Sequence, residues 1–361
     1  MKPLTALVTV LVLGAAAVSS SGSQRSPGGP SAPGAAGTLG TKTLDIYFID
    51  VEGGQATLIV TPAGQSLLID AGYPEQNGRD PDRIMAAVKD ARLSRIDYLL
   101  VTHLHEDHNG GVAELSKRIP IGTFVDYGSP VETAPEVVAA FAAYEIARRR
   151  GERLVPKSGD RLPLGGVEVD VVSADGATLT RPLDGGGQPN PACEGVEIGG
   201  AIRGENPRSI GVRVRFGAFR FLDLGDLIRS RLGDLVCPTN LIGSIDVYLV
   251  AHHANSDVNL PAMLNALRPR VAVANNGPWK GTTAAALAML HEFRGLEDVW
   301  QLHKTINDGA QNFPDAFVAN PTWGATDGAA WLKLSASEDG SFTVTNARTG
   351  WTKSYDVPRV P

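Results

Sequence analysis

A dense group of side chains that can bind metal ions lies in the first third of the chain. Residues 98–111 read Tyr-Leu-Leu-Val-Thr-His-Leu-His-Glu-Asp-His-Asn-Gly-Gly, and within them His103, His105, Asp107 and His108 fall inside six positions. Imidazole and carboxylate groups that converge on one point are the ligands that zinc and similar borderline metals select. We therefore expect one or two divalent metal ions, with zinc as the first choice and manganese as the alternative.

An apolar run before this group predicts the element that positions it. The run predicts a buried strand over 97–102, and alternate side chains of a strand point to the same face. His103 and His105 should therefore leave the strand end on one side. An Asn-Gly-Gly stretch then supplies a turn and the start of a helix, which brings Asp107 and His108 next to the first pair. The two pairs are expected to hold two ions side by side.

Three further polar groups also follow apolar runs that predict buried strands. Asp70 follows Leu-Leu-Ile, Asp223 and Asp226 follow Phe-Arg-Phe-Leu, and the pair His252-His253 follows Val-Tyr-Leu-Val-Ala. If these strands end at the same edge of the fold, their polar side chains gather with the first group. The sequence then contains enough ligands for a centre of two ions.

The type and order of these residues resemble the signature of the metallo-β-lactamase superfamily, whose His-x-His-x-Asp-His stretch supplies metal ligands. The resemblance implies that Asp70 supports the histidines from behind, fixing their ring orientation. It also implies that Asp226 is the bridging carboxylate, which leaves Asp223 as a salt-bridged surface acid. His252 is the expected last ligand with His253 nearby, although which of the two binds metal stays open.

A histidine that most members of this superfamily carry is absent from the chain. No histidine occurs between His108 and His252, where the third nitrogen ligand of the first ion would lie. The last protein position of the ion held by His103 and His105 is therefore expected to be empty or filled by an oxygen ligand, from Asn206 or, as weaker options, from Glu194 or Glu205. Oxygen ligands would weaken the preference for zinc and make manganese more acceptable.

In lacking this histidine, the chain resembles one group within the superfamily, the soluble hydrolase domains of ComEC-type competence proteins. That group also lacks the middle histidine and has an asparagine near its place. The resemblance runs over residues 43–275 and includes Asp-Val-x-x-Gly-Gln-Ala at 50–56 and an Asn-x-x-Ser stretch that ends at Ser209. It implies hydrolysis of phosphodiesters. Because they lie next to Asn206 in the sequence, Arg208 and Ser209 are the residues expected to contact the substrate phosphate.

The chemistry expected of such a centre is hydrolysis. A hydroxide held between two cations is a strong nucleophile at neutral pH, and the same cations polarise the bond that it attacks. Asp226 would hold the bridge and Asp107 would orient the second ion, so these two are the expected catalytic carboxylates. The substrate is expected to be nucleic acid or a small phosphodiester or ester. The formal net charge of −6 gives no general support for nucleic-acid binding, which requires local positive surface instead.

Two alternatives to a phosphodiesterase or nuclease stay open. The first is a hydrolase of lactones, β-lactams or other small carbonyl substrates, since the same kind of centre attacks those bonds. The second is a non-catalytic metal-binding protein on the same fold. Metal analysis followed by activity screens on each substrate class distinguishes the three.

The order of elements suits the α/β fold that the resemblance implies, the αββα sandwich, with two mixed sheets face to face and helices outside. One metallo-β-lactamase-like domain is expected over 41–361, with a terminal hairpin near 329–347. Glycines and prolines in 174–207 predict a long loop, and loops of this length are usually functional or mobile. We expect this loop to border the metal cleft.

The N-terminal residues predict export. Residues 1–18 have a lysine, a short apolar core and small residues, which is typical of a signal peptide, and 19–40 form a linker rich in Ser, Gly and Pro. The apolar core is too short for a stable membrane span. A secreted or periplasmic enzyme is therefore expected. In such a compartment Cys193 and Cys237 form either a disulfide or two free thiols, and the sequence leaves this open.

Overall fold

Two β-sheets pack face to face in the chain, with helices on their outer sides. A computed structural model describes residues 43–74, 76–258, 260–324 and 327–357. The architecture confirms the predicted αββα sandwich. The predicted signal peptide and linker lie outside the described residues. None of the helices in the described ranges has the length and apolar character needed to cross a membrane.

The strands are numbered in chain order. They are β1 (Leu44–Phe48), β2 (Thr57–Val60), β3 (Ser66–Ile69), β4 (Ile96–Leu100), β5 (Ile121–Val125), β6 (Glu152–Leu154), β7 (Arg161–Leu162), β8 (Glu168–Ala174), β9 (Ala177–Thr178), β10 (Gln188–Pro189), β11 (Gly211–Phe216), β12 (Phe219–Asp223), β13 (Thr239–Asn240), β14 (Val247–Leu249), β15 (Val271–Ala274), β16 (Asp298–His303), β17 (Val318–Asn320), β18 (Leu332–Ala336), β19 (Phe342–Asn346) and β20 (Thr352–Tyr355).

The helices are numbered in the same way. They are α1 (Arg79–Asp90), α2 (Glu106–Asn109), α3 (Val112–Arg118), α4 (Pro135–Arg148), α5 (Arg229–Val236), α6 (Leu260–Leu267) and α7 (Ala284–Glu292), and short 3₁₀ turns cover Gln76–Gly78, Pro191–Cys193, Asn206–Arg208, His252–Ala254 and Asp315–Phe317.

Each large sheet has a parallel part that leads to the site. The first sheet has the order β20-β19-β18-β1-β2-β3-β4-β5-β6, and β3, β4, β5 and β6 run parallel. The second has the order β17-β16-β15-β14-β12-β11-β8-β7, and β12, β14, β15, β16 and β17 run parallel. Ligands of such sheets bind beyond the carboxyl ends of the strands. The polar groups predicted at strand ends all follow parallel strands.

The apolar runs of the second sheet are buried on both faces. In β12, Phe221 belongs to the core between the sheets, whereas Leu222 belongs to the core under the outer helices. In β14, Val247 and Tyr248 divide in the same way. Strands covered on both faces read as mostly apolar sequence, and Arg220 is the polar position that interrupts the run of β12.

The long loop is fixed to the second layer of helices. Cys193 and Cys237 form a disulfide whose Cα atoms lie 5.6 Å apart. β10 within the loop pairs with β13, which follows α5. The disulfide and this strand pair attach the middle of the loop to the end of α5. The end of the loop, at Asn206, reaches the predicted metal cleft.

Candidate metal centre

The first histidine group lies in a tight turn rather than on a strand. β4 ends at Leu100, residues 102–105 form bends, and α2 begins at Glu106. His103 and His105 nevertheless meet, with His103 Nε2 lying 3.0 Å from His105 Nδ1. The predicted convergence is therefore produced by the turn and not by strand alternation.

Four buried ligand atoms form the densest cluster at this edge. His108 Nε2 lies 3.1 Å from Asp107 Oδ2 and 3.3 Å from Asp226 Oδ2. His253 Nε2 lies 3.3 Å from Asp226 Oδ1 and 3.5 Å from Asp107 Oδ2. One ligand atom from each of the four residues lies within 4.8 Å of the other three. The cluster is suited to a cation with nitrogen and oxygen ligands.

His252 and His253 lie at different places around Asp226. His253 belongs to the cluster with Asp107 and His108, which is the place expected for His252. His252 lies on another side of the bridging acid, with its Nε2 atom 3.6 Å from Asp226 Oδ2 and 3.3 Å from Asn206 Nδ2. Both histidines therefore reach Asp226, from different directions.

Each histidine of the site has one ring nitrogen anchored by a hydrogen bond, and the other nitrogen faces the cluster. The anchored atoms and their acceptors are His103 Nδ1 with Thr102 Oγ1 (3.1 Å), His105 Nε2 with Glu132 Oε2 (3.2 Å), His108 Nδ1 with Asp70 Oδ2 (2.7 Å), His252 Nδ1 with Asp257 Oδ1 (2.7 Å) and His253 Nδ1 with the Asn275 carbonyl (3.2 Å). Such anchors fix the tautomer of a metal-binding histidine.

Asp70, which the resemblance predicts as a supporting acid, contacts His108 and the Thr102 hydroxyl beside His103. It is fully buried at the end of β3 and accepts hydrogen bonds of 2.7 Å from Thr102 N and from Thr102 Oγ1, in addition to that from His108. Burial raises the pKa of Asp70 despite these bonds. Because the Thr102 hydroxyl gives its proton to Asp70, its oxygen is left to accept from His103.

The residues present fit a metal centre. His108 Nε2, His253 Nε2 and Asp226 Oδ1 are buried, and among the residues that the structure describes they lie close to polar atoms without the geometry of a hydrogen bond. Buried polar atoms rarely lack a partner, and metal coordination is one way to satisfy them. The inward nitrogens of His103 and His105 direct lone pairs at each other, and a cation relieves that repulsion.

Strong opposing charges set the protonation of the cluster. Burial would raise the pKa of Asp226, but the neighbouring His253 and His108 hold it well below its usual range. The pKa of Asp107 is likewise held well below its usual range, by His108 and Lys280 against the effect of burial. Burial would lower the pKa of His108, yet the surrounding carboxylates raise it well above its usual value. Both acids therefore remain carboxylates, the form that binds metal.

A glycine brings Asp226 into the site. Gly225 has a φ of +52°, and a Cβ atom there would lie 2.8 Å from Thr102 Cβ. The absence of a side chain at Gly225 therefore allows the backbone after β12 to pass close to Thr102, in the bend that follows β4. The backbone N–H of Asp226 also donates to Ser209 Oγ over 3.2 Å, which helps to orient the carboxylate.

Two residues predicted to contact substrate have internal partners instead. Arg208 is 8% exposed, and its guanidinium donates to Asp175 Oδ1 over 2.7 Å and to the Ser129 carbonyl over 2.9 Å. Ser209 is fully buried and accepts the bond from Asp226 N–H. The 3₁₀ turn at Asn206–Arg208 directs both side chains into the protein, so their expected contact with a substrate phosphate is corrected to a structural role.

Asp223 is also corrected, from a surface acid to a buried one. It is 1% exposed and accepts hydrogen bonds from Gln55 Nε2 at 3.1 and 3.0 Å and from Gly225 N–H at 3.0 Å. Burial raises the pKa of Asp223 to about 7. Gln55 belongs to the Gly-Gln-Ala stretch noted in the sequence, and it connects the β1–β2 loop to β12.

Lys280 is a cation of the site that the sequence motifs do not reveal. Lys280 follows β15, and its ammonium group contacts Asp107 Oδ2. Burial would lower the pKa of Lys280, but Asp107 and Asp226 raise it, so the side chain stays charged. Its place after a buried strand, in Asn-Asn-Gly-Pro-Trp-Lys-Gly, was the available signal.

A second group of acids and a histidine lies away from this centre. Asp50, His303 and Asp327 place ligand atoms close together, but Arg83 also belongs to this group and pairs with both carboxylates. His303 Nε2 lies 2.9 Å from Asp50 Oδ2. Arg83 donates to Asp50 and Asp327, so its guanidinium occupies part of the space between these acids and connects the β1–β2 loop to them.

Comparison with known proteins defines the family. The model of the metallo-beta-lactamase superfamily matches residues 49–274, which is more than half of the chain and includes every candidate ligand. The chain belongs to the metallo-beta-lactamase superfamily. By class it is a metal-dependent hydrolase.

Similar individual proteins cover parts of the chain. The Coenzyme F420H(2) oxidase of Methanothermobacter marburgensis is 32% identical over 103 residues, which cover 27% of this chain and only 23% of that protein. The metallo-beta-lactamase fold protein YhfI from Bacillus subtilis is 12% identical, with 71% of this chain and 96% of that chain covered and a TM-score of 0.43. Zn(2+)-bound PqqB from Methylobacterium extorquens is 12% identical, with 72% and 97% covered and a TM-score of 0.42.

Proposed function

We propose that the chain is an exported, metal-dependent phosphodiesterase that acts on nucleic acid or on smaller phosphodiesters. The observation that carries the proposal is the position of Lys280, a charged group in contact with Asp107 at the edge of the metal centre. Its side chain is 34% exposed, so an incoming anion can reach it. An ammonium group is a common phosphate-binding group in proteins.

The metal ligands and Lys280 have different roles in the proposed hydrolysis. Metal ions bound to this cluster supply Lewis acidity and lower the pKa of water. Asp107 and Asp226 keep their negative charge and hold the histidine rings around them through charge. Lys280 binds a non-bridging phosphate oxygen. In the reaction one water adds to phosphorus, one phosphorus–oxygen ester bond breaks, and the departing oxygen takes a proton.

An aromatic pair beside Lys280 supports a substrate that carries bases. Trp279 and Trp323 are 60% and 39% exposed, and their ring centroids lie 5.6 Å apart with an interplanar angle of 70°. Trp279 directly precedes Lys280. Exposed tryptophan faces next to a cation are the arrangement on which single-stranded nucleic acids stack.

Export is supported by two features of the chain. The N-terminal sequence has the pattern of a signal peptide, and the Cys193–Cys237 disulfide suits an oxidising compartment. The choice of zinc over manganese rests on the number of histidines that face the cluster. These two statements are tested by locating the mature protein in cell fractions and by metal analysis of the purified protein.

The substrate class is tested by a screen of the metal-reconstituted protein. Methyl p-nitrophenyl phosphate, single-stranded DNA, a lactone and nitrocefin should give turnover only with the first two. Lys280→Met should lower kcat/KM for the diester about 10- to 100-fold, the size of one lost charged hydrogen bond. The matched control is Lys304→Met, which removes an exposed lysine and should leave the rate unchanged.

Two results would contradict the proposal. Turnover of the lactone or nitrocefin without diester cleavage would assign a carbonyl hydrolase. Metal binding without turnover of any of these substrates would assign a non-catalytic metal-binding protein.

Increasing salt should weaken DNA cleavage more than diester cleavage, because more phosphate contacts release more counterions.

A further inference from the structure

The metal position beside His103 and His105 lacks the histidine that the superfamily usually supplies, but the folded chain places another histidine nearby. His103 Nε2 lies 3.0 Å from His105 Nδ1 and 3.8 Å from Asp226 Oδ2, which makes these three residues the candidates for this position. The sequence between His108 and His252 contains no histidine, which is why an oxygen ligand from Asn206 was expected. The structure offers a different completion.

His252 lies where the missing nitrogen is needed. Its Nε2 atom is 3.6 Å from Asp226 Oδ2, and the same oxygen is 3.8 Å from His103 Nε2. His253 instead faces the other oxygen of Asp226, at 3.3 Å. The two adjacent histidines therefore approach different oxygens of one carboxylate, and His108 approaches the same oxygen as His252, at 3.3 Å.

An unusual backbone turn makes this division possible. His252, His253 and Ala254 have φ values of +49°, +54° and +59°, a left-handed conformation that is rare for residues other than glycine. The turn is held by bonds from His252 N–H to the Gly225 carbonyl (3.0 Å) and from Thr282 N–H to the His253 carbonyl (2.8 Å). Neighbouring residues of an extended strand would point to opposite faces, and this turn lets both rings reach Asp226.

The far side of the His252 ring is prepared in the way expected of a ligand. Its Nδ1–H donates to Asp257 Oδ1 over 2.7 Å, which leaves the Nε2 lone pair directed inward. His108 is anchored on Asp70 at the same distance. A carboxylate behind a histidine is the common support for metal ligands. Asn206 reaches the ring through its amide, at 3.3 Å from Nε2.

We propose that His252 replaces the absent middle histidine and completes the first metal site. The first site then consists of His103, His105, His252 and Asp226, and the second of Asp107, His108, His253 and Asp226. Asn206 is a neighbour of His252 and not the principal ligand. Three nitrogen ligands favour zinc at the first site, in contrast to the oxygen-rich site expected from the sequence. This inference shares with the proposed function only the requirement for metal.

The test is zinc stoichiometry of single variants. Metal-free wild type, His252→Ala, His253→Ala and the control His291→Gln, an exposed histidine of α7, are reconstituted with zinc, desalted and analysed for bound metal. Wild type and the control should hold two zinc ions per chain, and each of the other two variants should hold one. In the cobalt-substituted proteins the two variants should lose different parts of the absorption spectrum.

Loss of folding is controlled by a milder change. Asp257→Ala leaves every proposed ligand in place, and it should weaken the first ion about 10- to 100-fold in zinc titration calorimetry while leaving the second unchanged. Two tightly bound ions in His252→Ala, or no change in Asp257→Ala, would overturn the assignment of His252. A wild type that binds no zinc would overturn this inference together with the proposed enzyme class. Stepwise zinc loss in variants of a protein that cleaves no phosphodiester would refute the proposed function alone.

Discussion

Asp223 gives the fold a dependence on pH that one substitution should remove. The carboxyl group is buried, and burial raises its pKa from 3.8 to about 7. Below pH 4 the group is protonated in both the folded and the unfolded chain. Between pH 4 and 7 the unfolded chain loses this proton and the folded chain keeps it, so the free energy of unfolding falls as the pH rises. Above pH 7 both forms are ionised and the contribution is constant.

The size of this effect follows from the difference between the two pKa values. The two pKa values differ by about 3 units, and each unit corresponds to 1.36 kcal/mol. The free energy of unfolding of the wild type should therefore fall by about 4 kcal/mol between pH 4 and 8 through this group. Asparagine has the same shape and does not titrate. Relative to the wild type, Asp223→Asn should therefore gain about 4 kcal/mol over this range.

The assay is urea unfolding of the metal-free protein at several pH values between 4 and 8.5. The quantity compared is the free energy of unfolding of Asp223→Asn minus that of the wild type, which cancels the titration of the other buried groups. Asp308→Asn, a change at an exposed acid, is the matched control and should run parallel to the wild type. If the Asp223→Asn and wild-type curves are also parallel, the buried carboxyl is not protonated in the fold and the reasoning is refuted.

Three further outcomes are expected. Asp70→Asn should weaken the ion held by Asp107 and His108 about 10- to 100-fold in calorimetric titration, because His108 loses its charged anchor; an unchanged affinity would remove Asp70 from the site. Trp279→Ala should raise KM for single-stranded DNA about 5- to 100-fold by loss of stacking while KM for methyl p-nitrophenyl phosphate stays constant, and equal changes would indicate a general disturbance. Replacing Cys193 and Cys237 by serine should lower the free energy of unfolding by about 4 kcal/mol, since the disulfide closes a loop with a sequence separation of 44; urea curves measure this, and unchanged curves would contradict it.

The sequence predicted the fold where periodicity and chemistry agree. The apolar run before His103 corresponds to β4, and the runs before Asp226 and His252 correspond to β12 and β14. These strands are mostly apolar because they are largely covered. The ligand types were recognisable from the sequence because His103, His105, Asp107 and His108 fall inside six positions.

The directions of individual side chains could not be predicted from the sequence. The different places of His252 and His253 around Asp226 depend on a left-handed turn of residues that are not glycine, and no local propensity predicts such a turn. Arg208 was expected to contact the substrate, but its guanidinium donates a hydrogen bond to Asp175 at the other end of the long loop. Lys280 lies far from Asp107 in sequence, so only the folded chain brings the two together.

The most direct measurement is an anomalous diffraction map of zinc-reconstituted crystals at the zinc edge. Two peaks should lie beside Asp226, one against His103, His105 and His252 and the other against Asp107, His108 and His253. The absence of zinc peaks at Asp226 would contradict the metal centre itself. A first peak coordinated by the Asn206 oxygen, with His252 turned away, would contradict the ligand assignment on which the account rests.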